Sequence, residues 1–381
     1  MANSKEKYLL LYLRTGSGHL APAKSISKIF EKNFGDEIQP LLIDGFERTN
    51  IIIKFLIEGG YRNLQSKARW FYETLYAVHK INFVAQAVSR IISFFVKPYL
   101  KDVFSSLKPD KIIIFHFFLI EPTFTVIREL GMNIPILTVV TDPYTAHPLW
   151  FLKKNQNFIV FSQRLKSAMI KQEMNEKNIN VFPFILNEKY SVPYNKALIK
   201  TQKKEMGFNI DRKVVLLLGG GDGIPQGYKI LNKLLQISQD FEIAVVCGKN
   251  KSLKRKAEKL KKKNSNLKVY GYIDFVYELL NISDLVISKC GASTFMEILM
   301  SRKIPIITNY MWEQEKGNVE FLVDKGLGIY EPRISKLPLL VNSLLKDNNK
   351  YQSFITNIEN ENIENGAEKV ALFIKNFNFK S

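Results

Sequence analysis

Two stretches of this chain share one design. "YLLLYLR" (8–14) carries an uninterrupted apolar run into the turn "TGSGH", and "RKVVLLLGGGDG" (212–223) carries another into three successive glycines. A strand that is apolar on both sides must be covered on both sides, which helix-flanked parallel sheets achieve and surface hairpins do not. A glycine turn after such a strand lets the backbone approach a ligand closely at the start of the next helix. Each half of the chain is thereby committed to a strand–loop–helix unit of a parallel α/β sheet.

Strand-like runs recur in the first half at "IQPLLID" (38–44), "KIIIFHF" (111–117), "IPILTVVTD" (134–142) and "NFIVFS" (157–162). In the second half they recur at "FEIAVVCGKN" (241–250), "LKVYGYID" (267–274), "DLVISKCGAS" (284–293) and "KIPIITNY" (303–310). Helical patterns separate them. A length of 381 residues fits two domains. The expected division is 1–190, a polar linker at 191–211, and 212–381, with the last helix able to cross back to the first domain. The expected class is α/β, two Rossmann-like domains whose parallel sheets face a central cleft, where such folds bind ligands. Between 47 and 108 no strand intervenes, and two or three helices rich in Ile, Phe and Tyr, edged with Lys and Arg, read as an insertion into the first domain. Such faces suit either packing on the sheet or contact with a membrane interface.

An apolar content of 46% excludes wholesale disorder. Cys247 and Cys290 make no disulfide framework and fit a reducing compartment. The N-terminal apolar run ends at Arg14 and reads as a buried strand, not a signal peptide. No stretch reaches the roughly 18–20 uncharged apolar residues that cross a bilayer. The net charge of +19 either calls for a polyanionic neighbour or reflects a general lysine bias. The densest basic run, 249–268, lacks interleaved aromatics or glycines for base stacking, so it reads as a solvated helix face and no nucleic-acid partner is expected.

His19 closes the first glycine turn, after Gly16, Ser17 and Gly18. A pKa near neutrality suits it as a general base, although a histidine that only caps and packs would take the same place. "TDPYTAHPLWF" (141–151) follows another strand end and carries Asp142, His147 and Trp150 on a proline-stiffened loop. Asp142 and His147 could each serve as base or orienter, or Asp142 could merely cap the turn. In the second half Gly219, Gly220 and Gly221 form a turn that something must approach closely. Gly291, Ala292, Ser293 and Thr294 then open a helix where amides and hydroxyls can hold phosphate. Glu297, one turn along, can accept both hydroxyls of a ribose. Gln314, Glu315 and Asn318 follow the next strand and supply the acceptors and amides that read sugar hydroxyls. Phosphate, ribose and hexose in that order describe a nucleotide sugar.

Other chemistries lack their motifs. There is no G-x-G-x-x-G, no P-loop and no G-x-S-x-G. The four histidines and two cysteines show no zinc spacing, and no Asp-x-Asp at a strand end would hold a cation against a diphosphate. Neither a metal nor another cofactor is expected.

The stretch "SKCGASTFMEILMSRKIPIITNYMWEQEKGNVEFLVDKGLGI" resembles the donor-site motif of the GT-B glycosyltransferases that act on diacylglycerol. These are the monogalactosyldiacylglycerol synthases and the processive diacylglycerol glucosyltransferases, which also resemble the lipid-intermediate GlcNAc transferase of peptidoglycan synthesis. "TGSGH" stands where the family has Gly-Gly-Gly-His, and "TDPYTAHPLWF" resembles its Thr-Asp…His-Pro-x-Trp segment. "LLLGGGDG", "VVCGKN" and "YGYIDFVYELLNISDLVISKCG" follow in family order. Thr15 and Ser17 depart from the first loop's pattern, and Met311-Trp312-Glu313 replaces a frequent Pro-Gly beside the sugar pocket.

The resemblance implies a UDP-sugar in the second domain. Gly219 to Gly221, Gly248, Lys249 and Asn250 would lie on the donor side, with Gly291 to Thr294 on the diphosphate, Glu297 on the ribose, and Gln314 and Glu315 on the hexose, Asn318 nearby. Gly16, Ser17, Gly18 and Trp150 would form the acceptor loop, and His19 would meet the acceptor hydroxyl. It implies a metal-independent, inverting transfer of galactose or glucose from UDP-galactose or UDP-glucose to diacylglycerol, by a peripheral protein at the anionic cytoplasmic face of the cell membrane. His19 would be the first choice of base, Asp142 or His147 the second. The alternatives are transfer of N-acetylglucosamine to a polyprenyl diphosphate, or a UDP-sugar- or nucleic-acid-binding protein without activity.

Overall fold

The structure is a computed structural model that describes residues 4–14, 17–49, 82–192, 195, 197–237 and 240–378. The chain divides into two compact units. The first comprises Met1–Asn187 with Trp312–Gln314 and Asn365–Ser381, and the second Glu188–Met311 with Glu315–Glu364.

The first unit is one parallel six-stranded sheet in the order β2-β1-β3-β4-β5-β6. Its strands are β1 (Glu6–Tyr12), β2 (Ile38–Asp44), β3 (Lys111–Ile114), β4 (Ile136–Val139), β5 (Asn157–Val160) and β6 (Ile179–Val181). Helices α1 (Ser17–Phe34), α2 (Asn82–Leu107), α3 (Ile120–Glu129) and α4 (Gln163–Ile170) connect them. Leu9, Leu10 and Leu11 of β1 have no exposed surface, because β1 is flanked by β2 and β3 and sealed on both faces. Of the expected helical insertion, residues 50–81 lie outside those described; the remainder is the single 26-residue helix α2. The helix Ala367–Asn376 belongs to this unit, where buried Lys111 donates from Nζ to the carbonyls of Ile374 and Lys375, at 2.7 and 3.0 Å. An ammonium against the open carbonyls of a helix end satisfies both partners.

The second unit has the order β12-β11-β10-β7-β8-β9, again all parallel. Its strands are β7 (Lys213–Leu218), β8 (Phe241–Val246), β9 (Leu267–Tyr270), β10 (Leu285–Lys289), β11 (Ile304–Asn309) and β12 (Ile329–Tyr330). Counted from β7, this is the order 6-5-4-1-2-3, the doubly wound dinucleotide-fold pattern. Its helices begin with α5 (Leu198–Glu205), inside the stretch read from sequence as a linker, and α6 (Gly227–Leu235). The basic run forms α7 (Lys251–Lys261), which buries only Leu253 and Ala257, one turn apart, and leaves its lysines exposed. Then come α8 (Val276–Ile282), α9 (Ala292–Met300), α10 (Lys316–Asp324), α11 (Leu337–Lys346) and α12 (Asn348–Asn360).

Strand order positions the sites. In the first sheet the chain leaves β1 towards β2 and leaves β3 towards β4, so the loops after β1 and β3 part at the carboxyl end of the sheet. In the second sheet the same divergence separates the loops after β7 and β10. Such reversals open the crevices in which doubly wound sheets bind ligands.

Candidate active site

His19 stands in the first turn of α1, at the reversal between β1 and β3. Its Nδ1 lies 2.8 Å from the carbonyl oxygen of Phe115, immediately after β3, and 2.8 Å from Thr141 Oγ1. A carbonyl only accepts, so Nδ1 carries the proton and Nε2 keeps a free lone pair. Burial pushes the His19 pKa down to about 4, a shift the Phe115 hydrogen bond partly opposes. The positive end of α1 acts in the same direction as burial.

Two further histidines join it. The His116 ring lies 4.3 Å from that of His19, and Phe117 stacks on His147 at 5.0 Å and 13°. His116 Nδ1 accepts from the Phe118 amide and His147 Nδ1 from the Leu149 amide, both at 3.2 Å. Each is therefore a neutral ring with its proton on Nε2. Burial holds His116 far below the ordinary histidine range, and His19 and His147 add to the effect. Sequence reading passed over His116, although its place directly after an apolar strand was visible; what makes it relevant is that β3 pairs with β1.

Asp142 is engaged on both oxygens. Trp150 Nε1 donates to Oδ2 at 3.0 Å and Gln314 Nε2 to Oδ1 at 2.9 Å. Trp150 has no exposed surface, and its ring lies 6.3 Å from that of His19. Gln314, expected on the hexose, spends its amide on Asp142 within the first unit. Thr145 Oγ1 lies 2.8 Å from the carbonyl oxygens of both Glu313 and Gln314. Of the acceptor loop, Gly16 lies outside the described residues, and Ser17 is described only by its backbone, which opens α1. A β-carbon at Gly18 would meet nothing within 4 Å, so there is open space beside it.

In the second unit, Gly291 precedes α9 without a side-chain cap, and Ser293 Oγ is buried with no hydrogen-bond partner. Unspent donors at a helix start are the equipment for an anion. Asn318, 1% exposed, donates to the Cys290 carbonyl at 3.0 Å while its Oδ1 finds no partner. A β-carbon at Gly220 would stand 3.7 Å from Thr294 Oγ1, so the loop after β7 and the start of α9 border one space. Gly219 and Gly248 serve the turn itself: a β-carbon would collide with the backbone around Gly223 in one case and with the Gly221 carbonyl in the other. Gly221 itself faces open space. The Lys249 amide donates to the Gly221 carbonyl at 2.8 Å, and its ammonium lies over the Tyr272 ring. Asn250 caps α7, its Oδ1 accepting from the Leu253 amide at 2.9 Å.

Two carboxyls in this unit are pushed up by burial. Burial raises the Glu297 pKa to about 7 against the opposing pull of Lys189, which sequence reading did not single out. Glu315 is also raised by burial, against Lys289 and the Met311 amide, which donates to its Oε2 at 2.6 Å. Among the described residues no group of three or more His, Cys, Asp or Glu side chains forms a metal-binding cluster.

With sheets and sites in place, comparison with known proteins gives the class first. The solved glycosyltransferase SnogD of Streptomyces nogalater superposes with a TM-score of 0.64 at 14% identity, covering 98% of this chain and 99% of that one. The fold is that of the GT-B glycosyltransferases. Residues 19–183 match the monogalactosyldiacylglycerol (MGDG) synthase family model, and residues 214–376 match the glycosyltransferase family 28 C-terminal domain. The first half of the chain is thus similar to the monogalactosyldiacylglycerol synthases and the second to the family 28 glycosyltransferases. It is 28% identical to monogalactosyldiacylglycerol synthase 1 of Arabidopsis thaliana over 91% of its own length and 65% of that protein's. It is 24% identical to the processive diacylglycerol beta-glucosyltransferase of Bacillus pumilus, over 97% and 94%.

Proposed function

We propose that the protein transfers galactose or glucose from a UDP-sugar to the free hydroxyl of diacylglycerol at a membrane surface. The observation that carries this reading is the His19–Phe115 contact. It leaves an unprotonated Nε2 at the carboxyl end of β1, where an acceptor hydroxyl can be deprotonated.

The step is a single displacement. The acceptor oxygen bonds to the anomeric carbon as its proton passes to His19 Nε2. The bond between that carbon and the diphosphate oxygen breaks, and the nucleoside diphosphate leaves with the electron pair. Attack opposite the leaving group inverts the anomeric centre. The charge growing on the diphosphate is offset by the amides opening α9 and by Ser293 Oγ. Glu297 takes the ribose hydroxyls, and Glu315 and Asn318 face the hexose. Asp142, held by Trp150 and Gln314, orients the loop behind His19.

Support for a lipid acceptor comes from α2. Phe83 and Phe94 are 80% and 72% exposed, with Ile91 and the cation Arg90 exposed on the same helix. Exposed aromatics beside a cation suit an anionic headgroup layer. No helix among the described residues is long and apolar enough to cross a membrane. The test is a radiolabelled transfer assay with UDP-galactose and UDP-glucose against vesicles carrying diacylglycerol or a polyprenyl diphosphate. Glycosyl-diacylglycerol is the expected product, and label found only on the polyprenyl acceptor would overturn the proposal.

A further inference from the structure

Lys289 closes β10, two residues before Gly291 precedes α9. It is partly buried, and its ammonium makes no hydrogen bond or ion pair with the described residues. A β-carbon at Gly291 would stand 3.7 Å from Lys289 Cε, 4.0 Å from its Nζ and 3.7 Å from Glu315 Oε1. Glycine leaves that volume empty, bordered by a cation, a carboxylate oxygen and an uncapped helix start. Ser293 Oγ, on a residue 7% exposed and without a partner, belongs to the same first turn.

Glu315 is the group that would repel an anion here. Its Oε2 is already engaged by the Met311 amide, and Lys289 is the charge that counters the effect of its burial. The ammonium thus offsets the carboxylate, and the amides and hydroxyl of the first turn remain for an incoming anion.

We propose that Lys289 is the counter-charge for the donor's diphosphate, meeting its outer phosphate in the space that Gly291 leaves open. The assignment rests on the reading of the second unit as the nucleotide-sugar site. As the bond between the anomeric carbon and the diphosphate oxygen breaks, that oxygen keeps the electron pair, and Lys289 stands where the added negative charge appears. A lysine at the strand end supplies a positive charge without adding a ligand to the protein.

The experiment is calorimetric titration of the full chain with UDP, UMP and uridine, for the wild type, Lys289→Met and Lys289→Arg. The wild type is expected to prefer UDP to uridine. Lys289→Met should lose roughly 10- to 100-fold in UDP affinity, the scale of one charge-assisted hydrogen bond, while uridine binding stays within about twofold. Lys289→Arg should restore most of the loss. Equal UDP affinity in wild type and Lys289→Met overturns the proposal. So does a parallel loss of UDP and uridine binding, which marks a structural role. A wild type that does not distinguish UDP from uridine overturns the donor-site reading itself.

Discussion

The Nδ1 atom of His19 lies 2.8 Å from the carbonyl oxygen of Phe115, which leaves Nε2 as the ring's proton acceptor. His19→Ala is expected to lower turnover by roughly 100- to 10,000-fold, the range of general-base catalysis, with UDP affinity unchanged. Steady-state kinetics beside calorimetry measure both, and turnover within a few-fold of wild type would remove His19 as the base. Because its folded pKa is about 4, below the unfolded value of 6.5, the unfolded chain binds more protons between those values. The stability held by neutral His19 is complete above pH 6.5 and is lost as the pH falls towards 4. His19→Phe should flatten that part of the melting-temperature profile.

Glu297 behaves oppositely. Burial raises its pKa to about 7 from 4.5, so the folded state holds the extra proton and stability falls as the pH climbs between those values. Glu297→Gln should therefore melt at a higher temperature than wild type at pH 8. In the proposed role its carboxylate form accepts ribose hydroxyls, so UDP-sugar affinity should weaken below about pH 7 in the wild type and stay level in the variant. Identical pH profiles would end the ribose assignment.

Gly221 and Gly248 separate the turn from the ligand. Gly248 has φ +56° and would press a β-carbon into the Gly221 carbonyl, so Gly248→Ala should cost at least about 1–2 kcal/mol, from left-handed backbone strain alone. Gly221→Ala meets nothing within 4 Å and should melt like wild type while raising the KM for donor. Thermal melts and donor titration would show the reverse pattern if Gly221 is only a turn residue.

Phe83 and Phe94 offer the exposed aromatic surface of α2. Replacing both with Ser should reduce sedimentation with anionic vesicles by roughly tenfold or more, given the transfer energy of buried aromatic surface. Activity on a short-chain, dispersed diacylglycerol should persist. Undiminished vesicle binding would place the membrane contact elsewhere.

Much of this architecture can be read from local pattern. The runs around Leu9–Leu11, Ile112–Ile114 and Leu216–Leu218 are apolar without interruption and become the sealed central strands β1, β3 and β7. The helix opening after Gly291 is announced by small residues following such a strand. The edge strands β6 and β12 escape this reading because three and two residues cannot show a period. Their extended form depends on hydrogen bonds offered by β5 and β11. The helix Leu198–Glu205 was hidden by its polarity, since it buries little apolar surface.

The sequence by itself determined the two-sheet α/β plan and put His19 and the small-residue helix start of α9 at strand ends, with Glu297 further along that helix, because a buried strand and the turn after it are specified by adjacent residues. Only the tertiary structure decided which strand ends are neighbours. The pairing of β1 with β3 sets Phe115 and His116 against His19 and thereby selects Nε2 as the basic nitrogen. The hydrogen bond joining residues 142 and 314, 172 positions apart, ties the Gln314 amide to Asp142. The reason is physical: burial, tautomer and pKa depend on what surrounds a group in space, and chain neighbours supply only a small part of those surroundings.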